Sequence, residues 1–239
     1  MEKKNITSKT AKTQIFNVVI LDQSGSMSTI REAAVSGLNE TIAGIRKAQE
    51  TYADTQEHFF TLVAFCGCEK RKIYDKVPAL EIGPLSIQDY RPCCTTPLYD
   101  AMGFTLNDMR HHVEQLDNAM VVVTIITDGL ENASREYTGM AVKKLVEDLR
   151  GQGWTFTYMG ANQDAVEVAF TLSIRNARNF DYDADGTIAC MAKDTSTRMN
   201  LFHRIHDYHK SGQMACAPLS ERMEDLAAMA DEAFDEIGQ

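Results

Sequence analysis

The sequence has no apolar run long enough to cross a membrane, and its first residues, MEKKNITSKTAKTQ, contain no apolar stretch of the kind that a secretory signal peptide requires. A bilayer-spanning helix needs roughly 18 or more consecutive apolar residues. We therefore expect a cytoplasmic protein that does not associate with membranes.

Positive charge is also scarce. The 24 Lys and Arg residues stand against 34 Asp and Glu residues, which gives a formal net charge of −10. A field of that sign repels the phosphate backbone of nucleic acids and the headgroups of anionic lipids. We therefore expect neither a nucleic acid nor a membrane surface as a partner.

The cysteines lack the regular spacing of a small disulfide-rich secreted protein. They lie at positions 66, 68, 93, 94, 190 and 216. Reduced thiols are therefore the expectation. Two close pairs, Cys66 with Cys68 and Cys93 with Cys94, leave one alternative open, because four thiolates could hold a zinc ion if the two segments meet in the fold.

Apolar runs alternate with helix-periodic segments along most of the chain, a pattern typical of a mostly parallel sheet with helices on both faces. A short turn around Gly67 separates the second and third runs, which predicts a hairpin and hence one antiparallel edge strand. The expected fold class is therefore α/β, a doubly wound, Rossmann-like sheet. The predicted strands are 15–21, 58–66, 72–80, 119–127, 154–160 and 177–182, and the predicted helices begin near Ser28 and Leu98 and span 138–150 and 186–208.

We divide the chain at residue 210. Residues 1–210 contain all the predicted strands, and residues 211–239 contain a linker and an acidic amphipathic helix. We expect this helix to dock on the main domain, with docking into a groove of a partner as the alternative. Its apolar stripe consists of Leu219, Met223, Leu226, Ala230, Phe234 and Ile237.

The segment VVILDQSGSMS (18–28) places a carboxylate and two hydroxyls directly after a buried strand. Asp22, Ser24 and Ser26 alternate along this segment, and Gly25 allows a tight backbone between them. Because ligands of open α/β sheets bind beyond the carboxyl ends of the strands, this segment is a candidate site. Capping of the following helix by serine is the alternative explanation.

Two further segments can reach the same edge of the sheet. Asp128 closes the apolar strand in VVVTIITDG, and Thr95 and Thr96 lie in the loop that opens the helix before it. Together with Asp22 and its serines, these residues form an all-oxygen donor set. Such a set suits a hard divalent cation such as Mg²⁺ or Mn²⁺, whereas zinc prefers His or Cys.

These residues resemble the von Willebrand factor A (vWA) domains, in which a D-x-S-x-S motif after the first strand is part of a metal-ion-dependent adhesion site (MIDAS). In that family the motif is joined by a Thr from a G-T-x-x-Y-D-A-like segment and by the Asp of T-D-G. The counterparts here are TTPLYDA (95–101) and TDGLENAS (127–134). With GANQDA (160–165), the resemblance covers about residues 13–208 and is closest to an intracellular bacterial or phage-type branch.

The resemblance implies a metal site formed by Asp22, Ser24, Ser26, Thr96 and Asp128. It implies that both serines coordinate directly, that Asp128 acts through a water, and that the open position binds an Asp or Glu of a partner protein. Mg²⁺ is the expected ion, with Mn²⁺ and Ca²⁺ as alternatives. The segment PCCTT departs from the family pattern, which has glycines before the ligand. It leaves open whether Thr95 or Thr96 coordinates, and Thr96 is preferred because it precedes PLYDA.

Three functions fit these features. We expect a protein-binding module that is not an enzyme. The first alternative is a metal-dependent phosphohydrolase with Asp22 as nucleophile. Such chemistry calls for a second acid where this chain has Ser24 and for a Lys near Asp128, which the sequence does not show. The second alternative is a scaffold that acts through its C-terminal helix. The sequence does not predict an oligomeric state.

Overall fold

The computed structural model describes residues 11–161 and 165–235, and its centre is a six-stranded sheet. The strand order is β3-β2-β1-β4-β5-β6, and β3 pairs with β2 in the antiparallel direction at one edge while the other neighbours are parallel. The doubly wound α/β fold with one antiparallel edge strand is therefore confirmed. The strands are β1 (Thr13–Asp22), β2 (Gln56–Phe65), β3 (Lys70–Pro78), β4 (Ala119–Thr127), β5 (Thr155–Ala161) and β6 (Asn176–Phe180).

Helices cover both faces of the sheet. Alternate residues of β1 point to opposite sides, so that Val18 packs with α2 and α3 whereas Val19 packs with α1 and α5. A turn of 3₁₀ helix at Ser26–Ile30 leads from the end of β1 into α1. The helices are α1 (Arg31–Thr51), α2 (Leu98–Val113), α3 (Gly139–Arg150), α4 (Ala165–Thr171), α5 (Ala184–Lys210), α6 (Gln213–Cys216) and α7 (Leu219–Asp235).

Helix α4 is an element that the sequence does not predict. It spans Ala165–Thr171, between β5 and β6. The sequence AVEVAFT alternates valine with other residues and so has the period of a strand more than that of a helix. With seven residues, the helix depends on tertiary packing, which Ala165 and Ala169 provide by burial against the sheet.

The C-terminal helix α7 packs on the domain that precedes it. Leu226, Ala230 and Phe234 are buried against Leu201 and Ile205 of α5. Tyr208 of α5 also donates a hydrogen bond to Asp225. The apolar stripe, as far as the structure describes it, is thus covered by the chain itself. Ile237 of the predicted stripe lies outside the described residues.

None of the helices in the described part of the chain has both the length and the apolar composition that crossing a bilayer would require.

Candidate metal site

The carboxylate of Asp22 is held at the end of β1, fully buried at 0% exposure. Its Oδ1 accepts a hydrogen bond from the backbone N–H of Ser24 at 2.7 Å, which turns the chain sharply after the strand. The hydroxyls of Ser24 and Ser26 lie 3.2 Å apart. The D-x-S-x-S segment therefore folds around its own carboxylate and places all three side chains in one group.

The end of β4 completes this group from the neighbouring strand. The hydroxyl of Ser26 donates to Oδ1 of Asp128 at 2.8 Å, and the hydroxyl of Thr127 donates to Oδ2 of Asp22 at 2.6 Å. The contact between Thr127 and Asp22 follows from the parallel register of β1 and β4, in which Leu21 lies beside Ile126. The next residues along each strand, Asp22 and Thr127, are therefore neighbours.

Thr127 is a site residue that the sequence analysis did not single out. Its hydroxyl fixes one oxygen of Asp22 and leaves Oδ1 to the backbone of Ser24. The feature of the sequence that could have pointed to Thr127 is its position as the last residue of a buried strand, directly before Asp128. Recognising it required the register between the strands, which the sequence does not specify.

Thr96 reaches the same point from the third segment. A Cβ atom placed on Gly129 would lie 3.3 Å from Oγ1 of Thr96, 3.9 Å from Oγ of Ser26 and 4.0 Å from Oδ2 of Asp22. These oxygens therefore surround one small volume, and the absence of a side chain at Gly129 keeps it open. All five predicted site residues are brought together, since Ser24 contacts Ser26 and Asp128 accepts from Ser26.

The two candidate threonines have opposite environments. Thr96 is buried at 3% exposure beside the other oxygens. Thr95 is exposed, and its Oγ1 would lie 2.1 Å from a Cβ on Gly67, so its hydroxyl faces the β2–β3 turn. The geometry therefore favours Thr96. Within the PCCTT segment, Cys94 lies in the left-handed region with φ 61°, so Cys94, and not Thr95, has the backbone conformation that favours glycine.

A network behind the site fixes the Thr96 loop. Asn132 accepts a hydrogen bond from the Thr96 N–H at 2.9 Å, and its own N–H donates to the Thr96 carbonyl at 3.1 Å. Glu131 accepts from the N–H of Tyr99 in the first turn of α2 at 2.8 Å and from the N–H of Ala133 at 2.8 Å. The segment after Asp128 therefore holds the threonine loop and the start of α2 in place.

The electrostatics of the site favour a bound cation. Burial raises the pKa of Asp22 to about 6, although hydrogen bonds from Thr127 and Ser24 lower it, and the nearby carboxylate of Asp128 adds to the increase. Among the described residues, no basic side chain forms an ion pair with Asp22. A buried carboxylate next to a second one is costly unless a positive charge compensates it. The donor set therefore fits a divalent cation.

The cysteines beside this site differ from the expectation of reduced thiols. Cys68 and Cys94 form a disulfide with a Cα–Cα distance of 6.5 Å. Cys66 and Cys93 are free, and their sulfurs lie 3.4 Å apart. The expectation was wrong because it rested on spacing along the chain, whereas the β2–β3 turn and the Thr96 loop meet in space.

Solved structures share this architecture at low sequence identity. The chain is similar to proximal thread matrix protein 1 (PTMP1) from the mussel byssus, solved with a zinc-occupied MIDAS motif, at 14% identity and a TM-score of 0.56, over 79% of this chain and 46% of that one. It is similar to the pilus adhesin SpaC from Lactobacillus rhamnosus GG at 13% identity and a TM-score of 0.55, over 81% of this chain and 31% of that one. A weaker similarity, at 8% identity and a TM-score of 0.49, is to the SpRpn10 VWA domain, over 75% of this chain and 94% of that one.

At these identities the similarity shows the fold alone, the doubly wound α/β sheet with one antiparallel edge strand that the sequence predicts. The chain spans less than half the length of PTMP1 and about a third of SpaC. No protein family model and no curated protein matches the sequence.

Proposed function

We propose that this chain is a metal-dependent protein-interaction module. A divalent cation, Mg²⁺ or Mn²⁺ with Ca²⁺ as a further candidate, binds to Asp22, Ser24, Ser26, Thr96 and Asp128. The ion supplies a positive charge and an open coordination position, which captures an Asp or Glu of a partner protein. The observation that carries the proposal is the convergence of oxygens from the ends of β1 and β4 and from the loop before α2.

The donor set supports binding of an external carboxylate. Three of the five side chains around the ion are neutral hydroxyls. The two carboxylates, of which Asp128 acts through a water, therefore do not exceed the ion's double positive charge, as three or four carboxylates would. A partner's acid can then add a further negative ligand. Leu130, which follows Gly129, is 60% exposed and offers an apolar contact beside the ion for the same partner.

The proposal includes no chemical reaction. The residue two positions after Asp22 is Ser24, a hydroxyl whose oxygen lies 3.2 Å from that of Ser26 and which lacks the proton donor strength of a carboxylic acid. The packing of helix α7 argues against the scaffold alternative. Leu226, Ala230 and Phe234 are buried against the domain and so do not offer an apolar surface to a partner. We therefore propose that the partner binds at the metal site, beyond the carboxyl ends of β1 and β4. The cytoplasmic location stays a prediction.

Calorimetric titration of Mg²⁺ and Mn²⁺ into EDTA-stripped protein tests the metal site. We expect one saturable site that is lost in the Asp22→Ala and Asp128→Ala variants. The matched control is Asp117→Ala. Asp117 is an exposed acid that precedes the amino end of β4, whereas Asp128 follows its carboxyl end. Binding that survives in the Asp22→Ala variant at wild-type affinity would refute the site.

Peptide display tests carboxylate capture. Random peptides are selected on the Mg²⁺-loaded protein and eluted with EDTA, with the Asp22→Ala variant as the counter-selection. We expect the enriched peptides to share one Asp or Glu whose replacement by Asn or Gln abolishes binding. Enrichment of peptides that contain no acidic residue, or that bind equally well in EDTA, would contradict the proposal.

A further inference from the structure

Four cysteine sulfurs meet beside the Thr96 loop, from two segments that are distant in sequence. Cys66 and Cys68 flank the turn between β2 and β3, and Cys93 and Cys94 precede Thr95. The sulfurs of Cys66, Cys68 and Cys93 all lie within 4.8 Å of one another, and the sulfur of Cys94 is bonded to that of Cys68. Within the described part of the chain, Cys66, Cys68 and Cys93 are the one set of three or more His, Cys, Asp and Glu side chains whose ligand atoms lie this close together.

These distances suit a tetrahedral zinc ion. Because a zinc–thiolate bond is about 2.3 Å long, four sulfurs around one zinc lie about 3.8 Å from each other. The 3.4 Å distance between the sulfurs of Cys66 and Cys93 is close to that value. Three of the four sulfurs thus already lie close together, and the fourth, that of Cys94, is bonded to one of them.

We propose that the reduced chain binds one zinc ion through the thiolates of Cys66, Cys68, Cys93 and Cys94. Reduction of the Cys68–Cys94 disulfide needs a dithiol, which passes two electrons and two protons to the two cysteine sulfurs and is itself oxidised to a disulfide. On binding zinc, the four thiols release their protons to solvent and form four zinc–sulfur bonds. The disulfide and the zinc site thus use the same sulfurs and exclude each other.

The backbone around the cluster is fixed independently of the sulfurs. The N–H of Gly67 donates to the Thr95 carbonyl at 2.9 Å, and the N–H of Cys93 donates to the Gln23 carbonyl at 2.8 Å. The N–H of Cys66 donates to the Glu69 carbonyl at 2.8 Å and closes the β2–β3 turn. Because these bonds already hold both segments, zinc binding requires little ordering of the chain.

The zinc site anchors the loop that carries Thr96. Cys94 is two residues before Thr96, and its carbonyl accepts a hydrogen bond from Gly25 at 3.1 Å. Zinc therefore joins the β2–β3 turn to the loop at the rim of the oxygen-lined site. The two sites differ in chemistry, since one is built of sulfur and the other of oxygen, so either can exist without the other.

Cobalt substitution tests the thiolate site in the full chain. Co²⁺ is added to metal-stripped protein that is kept reduced, and absorption is recorded. We expect one equivalent of Co²⁺ to produce thiolate-to-cobalt charge-transfer absorption, which one equivalent of Zn²⁺ then displaces. This absorption should persist in the Asp22→Ala variant and in the control Cys190→Ser, and should be diminished or lost in Cys66→Ser and Cys93→Ser.

A second measurement uses the wild-type protein, so its result does not depend on whether a variant folds. Zinc-loaded wild-type protein is titrated with an organic mercurial while released zinc is followed with a chelating dye. Release of one zinc should accompany the loss of thiols and be complete by six equivalents, the number of cysteines in the chain. Absence of charge-transfer absorption in the reduced wild-type protein would overturn the proposal. So would undiminished absorption in Cys93→Ser, or zinc release without thiol consumption, either of which would place the metal elsewhere.

Discussion

At the scale of single residues, Thr95 and Thr96 are a matched pair for testing the site. Thr96 is buried next to the oxygens of Ser26 and Asp22, whereas Thr95 is exposed and faces Gly67. We expect Thr96→Ala to weaken Mg²⁺ binding by about 10-fold or more, because even residues that only orient metal ligands contribute 10–100-fold. Calorimetry measures the change.

Thr95→Ala is the control for this prediction. It removes the same hydroxyl and the same methyl group one position earlier, and Mg²⁺ affinity should stay within about 2-fold of the wild-type value, as expected for a surface change away from the ligands. Equal losses of affinity in the two variants would show that the loop as a whole, and not the Thr96 hydroxyl, sets the affinity.

The positions of the principal site residues could be predicted from sequence because they follow strands. Asp22 and Asp128 each end a run of apolar residues, and parallel strands bring such ends to one edge. Thr127 and Asn132 could not be predicted in the same way. Their roles depend on strand register and on the path of a loop, neither of which leaves a periodic pattern in the sequence.

At the scale of secondary structure elements, a buried arginine joins α5 to the centre of the sheet. Arg198 is 1% exposed and donates to Asp194 on the same helix at 2.9 Å. It also donates to Asn17 of β1 at 3.0 Å and to Thr124 of β4. One side chain thus connects the longest helix with the two central strands.

Arg198→Met should lower the free energy of unfolding by about 3–5 kcal/mol, because it leaves the carboxylate of Asp194 buried without its charged partner. Urea denaturation measures the loss. The double variant Asp194→Leu with Arg198→Met removes both charges and should recover at least half of it. A double variant less stable than Arg198→Met would show that Asp194 stabilises the fold even without its charged partner, through the hydrogen bond that it accepts from Thr124 at 3.3 Å.

The elements themselves were predictable where the hydrophobic pattern is long. Strand β4 matches its predicted bounds of 119–127, and α5 begins with Asp183 as N-cap, whose side chain accepts from the N–H of Gly186 at 2.7 Å. The β2–β3 hairpin follows from the short turn around Gly67. Helix α4 could not be predicted, because a helix of seven residues is too short for a helical period to outweigh the strand-like alternation of its sequence.

At the scale of the whole molecule, a buried histidine is expected to limit stability in acid. His58 on β2 is 0% exposed, contacts Phe202 of α5 with ring centroids 4.5 Å apart, and pairs with Gln56 at 3.0 Å. Burial lowers the pKa of His58 from 6.5 to about 3. Between these values the unfolded chain binds a proton that the folded chain does not bind.

The sign of the effect follows from this difference in bound protons. Above pH 6.5 the imidazole of His58 is neutral in both states and contributes nothing to the pH dependence. Below it, the free energy of unfolding falls by about 1.4 kcal/mol per pH unit as the pH decreases, until the folded protein also binds the proton near pH 3. Asp22 acts in the opposite direction, because its raised pKa favours the folded state on acidification.

Comparison with a His58→Gln variant separates the two effects. Glutamine can still donate to Gln56 but does not titrate, and Asp22 is the same in both proteins, so its contribution cancels in the difference. We expect the stability difference between wild type and variant, from urea denaturation in EDTA, to shift in favour of the variant by about 1.4 kcal/mol for each unit below pH 6. A difference that stays constant between pH 7 and pH 4 would mean that His58 binds its proton in the folded protein, and hence that the interface between β2 and α5 admits water at low pH.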